Sequence, residues 1–220
     1  MSYPLPALIF DLDGTLTDSK PGILSCLRKT IDAHGIDYPG PLDHFVGPPV
    51  EAWVLELLPN GTHAQQSELV RDYRDLYDRE GWSNNSVFPG VREMITQLHY
   101  AGYTLYVCTS KQKRFADRIL DLFELSSMFA AIYGDLAEFA SHRKEDLLAL
   151  LVRECGLSKD STWMIGDRSY DIDAARANGI RSMAAGWGYG SKEEFAAADA
   201  VAASPAEVIA LVNPSYAVLG

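Results

Sequence analysis

Two aspartates separated by a single residue, Asp11 and Asp13, follow directly on the apolar run Leu8-Ile9-Phe10 and precede Gly14-Thr15. If that run is a strand, its alternation gives both carboxylates the same general heading. At the carboxyl end of a parallel strand they project into the crevice where open α/β sheets bind ligands. On its own the pair reads equally as the start of a loop, with Gly14 supplying the turn. A second acidic group closes another apolar run in Ile165-Gly166-Asp167-Arg168-Ser169-Tyr170-Asp171, and a helix beginning near Ser169 brings Asp167 and Asp171 together. Taken alone, these are a capping aspartate and a surface carboxylate. Brought to one place, the carboxylates require a cation, because like charges ~4 Å apart repel by about 4 kcal/mol at an effective dielectric near 20. Oxygen donors without His or Cys select a hard ion, Mg²⁺.

Two further segments supply groups suited to an anion. In Leu105-Tyr106-Val107-Cys108-Thr109-Ser110-Lys111, small hydroxyl residues end a predicted strand just before a predicted helix. Thr109 and Ser110 can hold phosphate oxygens through side-chain and backbone donors, or serve as an ordinary turn or helix cap. Lys111 beside them attracts an anionic substrate or is an exposed surface lysine. Lys144 stands near the start of a predicted helix, after the polar loop 138–142. If the fold sets it beside Asp11, its ammonium offsets nucleophile and phosphoryl charge; otherwise it is a solvated lysine.

The elements that must position these groups follow from periodicity. Short β-branched or aromatic runs at 7–10, 104–108, 131–133, 162–165 and 181–184 read as buried strands. Between most of them, helical apolar spacing covers 91–100, 114–122, 144–155 and 170–178. Strand alternating with helix implies a mainly parallel, doubly wound sheet covered on both faces. Only helical patterns, at 20–34, 49–58 and 65–80, follow the first strand, so the expected division is an α/β core over 1–17 and 87–220 with an all-helical insertion over 18–86. Ser83 to Ser86 and Phe88-Pro89-Gly90 read as the turns that end it. The alanine-rich stretch 196–203 reads as a surface helix and a short edge strand.

A chain of 220 residues, 47% hydrophobic, can bury a substantial core, and a net charge of -11 disfavours a nucleic acid polymer or an anionic membrane as partner. Cys26, Cys108 and Cys155 form neither a CxxC pair nor a disulfide framework, which fits a reducing cytoplasm. The N-terminus has no basic region followed by a long apolar stretch, and no apolar run reaches membrane-spanning length.

Taken in order, Asp11-Leu12-Asp13-Gly14-Thr15, Thr109, Lys144 and Gly166-Asp167-Arg168-Ser169-Tyr170-Asp171 resemble the four motifs of haloacid dehalogenase superfamily phosphatases. Closer similarity is to the phosphoglycolate phosphatase-like branch, through residues 10–19, Gly47-Pro48-Pro49, Phe88-Pro89-Gly90-Val91 and 171–179. Thr109-Ser110-Lys111, Phe115-Ala116, Ile132-Tyr133-Gly134 and Trp187-Gly188-Tyr189-Gly190-Ser191 are also similar to bacterial members described as 5'-nucleotidases. The loop 135–142 departs from the Gly-Ser-Glu-type sequence usual there. The resemblance implies a Rossmann-like core and a helical cap that closes over substrate.

It further implies Asp11 as the nucleophile and Asp13 as the general acid and then base. Mg²⁺ is implied on Asp11, the Asp13 backbone carbonyl and Asp167, with Asp171 orienting waters or neighbours. Thr109 and Ser110 are implied as phosphate ligands, with Lys144 securing Asp11 and the transferring group. Lys20, Gly47 and Pro48 are candidate substrate contacts from the cap. Trp53 reads as core and Arg28 as a solvated helix residue. Dehalogenating and phosphonate-cleaving relatives lack the second acid, so Asp13 argues for ester hydrolysis or phosphoryl transfer. The expected substrate is a small-molecule phosphate ester, phosphoglycolate or a nucleoside 5'-monophosphate, acted on by a monomer or homodimer. A phosphosugar mutase and a catalytically silent binding protein are the alternatives.

Overall fold

The computed structural model describes residues 5–48, 50–136 and 143–212. Pro49, from the expected turn and helix, and residues 137–142 of the polar loop lie outside the described residues.

The first strand, β1 (Ala7–Phe10), pairs in parallel with β4 (Thr104–Gln112) on one side and β6 (Thr162–Gly166) on the other. With β5 (Ala131–Asp135), β7 (Arg181–Ala185) and β8 (Ala200–Ala202) they make a six-stranded sheet in the order β5-β4-β1-β6-β7-β8. The chain builds outward from β1 through β4 to β5, then returns to build the other half. The carboxyl end of β1 therefore lies at the switch point, where an open sheet forms its ligand crevice.

Alternation along β1 divides the core in two. Leu8 and Phe10 enter one apolar cluster with Val91, Met94, Ile95 and Leu98 of α4 (Val91–Tyr100), Ile119 of α5 (Lys113–Leu122) and Val208 of α8 (Pro205–Val212). Ile9 enters the cluster on the opposite face, with Leu148 of α6 (Lys144–Glu154) and Ala174 of α7 (Ser169–Asn178). The sheet is thus covered on both faces, as the strand–helix alternation implies.

Between β2 (Thr17–Asp18) and β3 (Ser86–Val87), which pair antiparallel, the chain is helical: α1 (Lys20–Ala33), α2 (Val50–Leu57) and α3 (His63–Leu76). This segment has its own apolar cluster, with Ile23, Leu27, Phe45, Trp53, Leu57, Leu69, Tyr73 and Tyr77, joined by Phe115 from α5. α3 begins two residues before the expected 65, because Thr62 caps it reciprocally: its hydroxyl accepts from Gln65 N–H at 3.3 Å, and its own N–H donates to Gln65 Oε1 at 2.9 Å. α3 ends in a π-helical turn, Tyr77–Gly81, which period-3.6 reading cannot distinguish from ordinary helix.

Several local expectations are corrected. Ser86 belongs to β3 and is not part of a turn. β4 runs past the expected 108 to Gln112, with a register break between Thr109 and Gln112, so the Thr109-Ser110-Lys111 run is irregular strand end before α5, as expected, and not a turn or helix cap. The alanine-rich stretch yields the edge strand β8, but its helix is a short 3₁₀ turn, Glu194–Ala197, that buries Phe195.

Candidate active site

The chain leaves β1 with its ladder still intact, as Asp11 N–H donates to Ile165 O at 2.9 Å. It then turns at Gly14, whose φ of +87° is left-handed, and Leu12 O accepts from Leu16 and Thr17 N–H, each at 2.9 Å. A Cβ on Gly14 would stand 2.2 Å from Asp167 Oδ2, so this turn fits against the second acidic segment only with glycine.

Asp167 is fully buried at the end of β6. Thr15 Oγ1–H donates to its Oδ1 at 3.2 Å and Tyr189 N–H to its Oδ2 at 2.8 Å. Asp171 caps α7, its Oδ2 accepting from Arg168 N–H at 3.0 Å, while its Oδ1 pairs with Lys144 Nζ. The capping reading and the clustering reading therefore both hold at Asp171, one oxygen for each. Lys144, at the first position of α6, also pairs with Asp11 Oδ1 at 2.8 Å, and its side chain is only 6% exposed, so it is not a solvated lysine.

Asp11, Asp167 and Asp171 offer oxygens within 4.8 Å of one another. Ionised together, these three carboxylates exceed the single Lys144 charge by two, a deficit that a divalent cation balances. The donors are oxygen only, the set that suits Mg²⁺. The electrostatics agree with an ion-dependent cluster. Burial, then repulsion from Asp171 and Asp11, pushes the Asp167 carboxyl up to about 8. Burial raises Asp11 to about 6, with Lys144 opposing and Asp171 adding to the rise. Burial works against the Lys144 charge, yet Asp11 and Asp171 hold its pKa above the ordinary lysine value.

The Asp13 carboxylate stands apart from this group. Its Oδ2 pairs with Lys111 Nζ at 2.8 Å. Asp11, Asp13, Thr109, Ser110, Lys111 and Lys144 line one side of a cavity of about 130 Å³, and Gly47, Pro48, Trp53, Tyr73 and Tyr77 line the other. Thr109 is buried, its Oγ1 accepting from Lys111 N–H at 3.2 Å. Trp53 is both core, edge-on to Tyr73 at 4.9 Å, and cavity wall. Lys20 lies elsewhere: its Nζ pairs with Asp43 Oδ1 at 3.1 Å and sits 4.7 Å from the Tyr189 ring centroid, at the root of the helical segment. Arg28 is exposed.

Lys111, expected either to attract an anionic substrate or to be an exposed surface lysine, is a buried partner of Asp13 with a side chain 8% exposed, so it is not a surface lysine. Two further groups were given no role by sequence reasoning. Tyr189 spans two places, its N–H on Asp167 and its hydroxyl donating to Asp18 Oδ1 at 2.8 Å. Trp187 Nε1–H holds Thr15 O at 2.9 Å. The only signal for the last two was the Trp187-Gly188-Tyr189-Gly190 run itself. Its glycines permit close approach: a Cβ on Gly188 would meet Asp167 Cβ and Gly14 O, both at 2.3 Å.

Comparison with known proteins shows the family to which this chain belongs. The pattern that defines haloacid dehalogenase-like hydrolases matches residues 8–185. A 5'-nucleotidase from Pseudomonas aeruginosa is 37% identical over 194 residues, 87% of either chain. The tyrosine-protein kinase PtkA of Mycobacterium tuberculosis is 40% identical over 185 residues, 83% of this chain and 62% of that protein. A phosphoglycolate phosphatase from Mesorhizobium japonicum is 31% identical over 84% of each. The solved structure of a haloacid dehalogenase-like family hydrolase from Streptococcus pneumoniae superposes with a TM-score of 0.86 at 30% identity, covering 95% of this chain and 99% of that one. The chain belongs to the haloacid dehalogenase-like hydrolase family.

Proposed function

We propose that this chain hydrolyses the phosphate monoester of a small metabolite through phosphoryl transfer to Asp11. It is a phosphatase in class, the activity named for its nucleotidase and phosphoglycolate phosphatase relatives. The observation that carries the reading is the common cavity onto which Asp11, Asp13, Thr109, Ser110 and Lys144 open. Asp11 Oδ attacks phosphorus, and Lys144, 2.8 Å from Asp11 Oδ1, orients that carboxylate and offsets charge on the transferring group. Asp13 gives a proton to the leaving alcohol oxygen and later takes one from the water that releases phosphate. Thr109 and Ser110 hold phosphoryl oxygens. Mg²⁺, on Asp11, the Asp13 backbone carbonyl and Asp167, with Asp171 beside them, would supply positive charge against the phosphoryl oxygens.

The helical segment 18–86 acts as the cap, presenting Gly47, Pro48, Trp53, Tyr73 and Tyr77 to the leaving group and excluding water. Phosphoglycolate and nucleoside 5'-monophosphates are the two substrate candidates. The aromatic wall favours the nucleoside, which offers an aromatic face for Trp53 and Tyr73, over a two-carbon carboxylate.

Purified protein should release inorganic phosphate from one of these esters in Mg²⁺ and lose that activity as Asp11→Asn. Unchanged turnover in Asp11→Asn would overturn the reading. Net transfer of phosphate to a sugar or tyrosine hydroxyl, with negligible free phosphate, would replace hydrolysis with phosphotransfer.

A further inference from the structure

The Lys111 ammonium is the point where the proposed acid meets the helical segment. Its Nζ pairs with Asp13 Oδ2 at 2.8 Å and donates to the Tyr77 hydroxyl at 2.9 Å, lying 4.8 Å from the centroid of that ring. Neither partner is loose. Tyr77 is 4% exposed in the π-helical turn, stacked on Tyr73 at 5.9 Å and meeting Phe115 edge-on at 5.1 Å. Asp13 Oδ1, by contrast, is buried and takes no hydrogen bond among the described residues. One oxygen of the carboxylate is anchored, and the other is left to carry a proton to the cavity that Asp13 lines.

We propose that Lys111 is a positioning residue for Asp13: it fixes Oδ2, aims Oδ1 at the leaving-group oxygen, and makes that aim depend on the Tyr77 hydroxyl of the helical segment. The inference rests on Asp13 being the acid of the proposed hydrolysis. A lysine at this place could instead bind the substrate's own negative charge, and the two roles differ in one measurable respect. An acid matters for a poor leaving group, an alkoxide, and hardly at all for a stable one such as p-nitrophenolate. Loss of acid positioning therefore falls selectively on alkyl esters, whereas loss of anion binding falls on both alike.

The experiment compares kcat/KM in saturating Mg²⁺ for p-nitrophenyl phosphate and for whichever of 5'-AMP and phosphoglycolate is turned over faster, in the wild type, Asp13→Asn, Lys111→Met, Tyr77→Phe and the Lys111→Met/Tyr77→Phe double variant. Asp13→Asn should lose the alkyl ester preferentially. Lys111→Met should reproduce that preference by about 10- to 100-fold, a share of the 10²–10⁴ typical of general acid catalysis. Tyr77→Phe should shift the ratio in the same direction by less, and the double variant should match Lys111→Met alone. Equal losses for both esters in Lys111→Met and Tyr77→Phe, with the preference intact in Asp13→Asn, would overturn the positioning role and leave the acid assignment standing. Absence of any preference in Asp13→Asn would instead overturn the acid. Should Lys111→Met fail to fold, Tyr77→Phe, which removes one hydroxyl, carries the same comparison.

Discussion

Asp167 has no solvent exposure, and burial and its carboxylate neighbours raise it to about 8 in the ion-free protein. The folded chain then binds more protons than the unfolded one between pH ~4, the ordinary aspartate range, and ~8, so stability falls as pH rises through that window. Asp11, raised to about 6, adds to the same slope over its lower half. Thermal unfolding in EDTA should show a lower midpoint at pH 8 than at pH 5.5, and saturating Mg²⁺ should remove most of the difference. An identical pH slope with and without Mg²⁺ would refute the linkage. Asp167→Asn takes away a buried charge, so this variant should flatten the EDTA slope while losing most stabilisation by Mg²⁺. At this scale the sequence was readable where chemistry is local: Asp11, Asp13, Asp167, Asp171 and Lys144 each follow or open an element whose pattern is plain. The Lys111–Asp13 pair and the Tyr189 bond to Asp167 join segments far apart in the chain, and nothing in either segment alone announces its partner.

At the scale of elements, the turn after β1 is the most constrained. Gly14→Ala puts a side chain at φ +87° and a Cβ 2.2 Å from the Asp167 carboxylate. The backbone conformation alone costs about 1–2 kcal/mol, and displacement of Asp167 should abolish the Mg²⁺-induced rise in the unfolding midpoint. A substitution that lowered stability but left the full Mg²⁺ response would contradict the described fit. Thr62→Ala, which removes the α3 cap at a residue that does not line the cavity, should cost about 1 kcal/mol in denaturant unfolding and leave kcat/KM unaltered. The five main strands were legible because each is a short apolar run bounded by turn residues. β2 and β3 were not, since two residues carry no periodicity. The extension of β4 to Gln112 was hidden by its register break, where polar residues continue a strand edge.

At the scale of the whole molecule, apolar contacts tie the helical segment to the sheet, Trp82 packing against the clusters of both. Phe115 belongs to α5, yet packs in the cluster of Trp53, Tyr73 and Tyr77. Phe115→Ala should lower unfolding free energy by about 3–5 kcal/mol and loosen the wall of the cavity, seen as a raised KM for the nucleoside or glycolate ester. A KM within error of the wild type would place the cavity wall's stability elsewhere. The doubly wound sheet was readable from strand–helix alternation, because parallel strands require covered crossovers; the tie through Phe115 was not, because an aromatic residue on an amphipathic helix looks the same whichever cluster it joins. Among the described residues, no helix is long and apolar enough to cross a membrane.

The antiparallel pairing of Thr17–Asp18 with Ser86–Val87 brings the two strands that lead into and out of the helical segment side by side, while every ladder of the six-stranded sheet closes without them. A different set of helices could therefore be spliced between those two strands with the clustered carboxylates left in register. On the proposed mechanism, the junction is a graft point for exchanging what is recognised without rewriting the reaction.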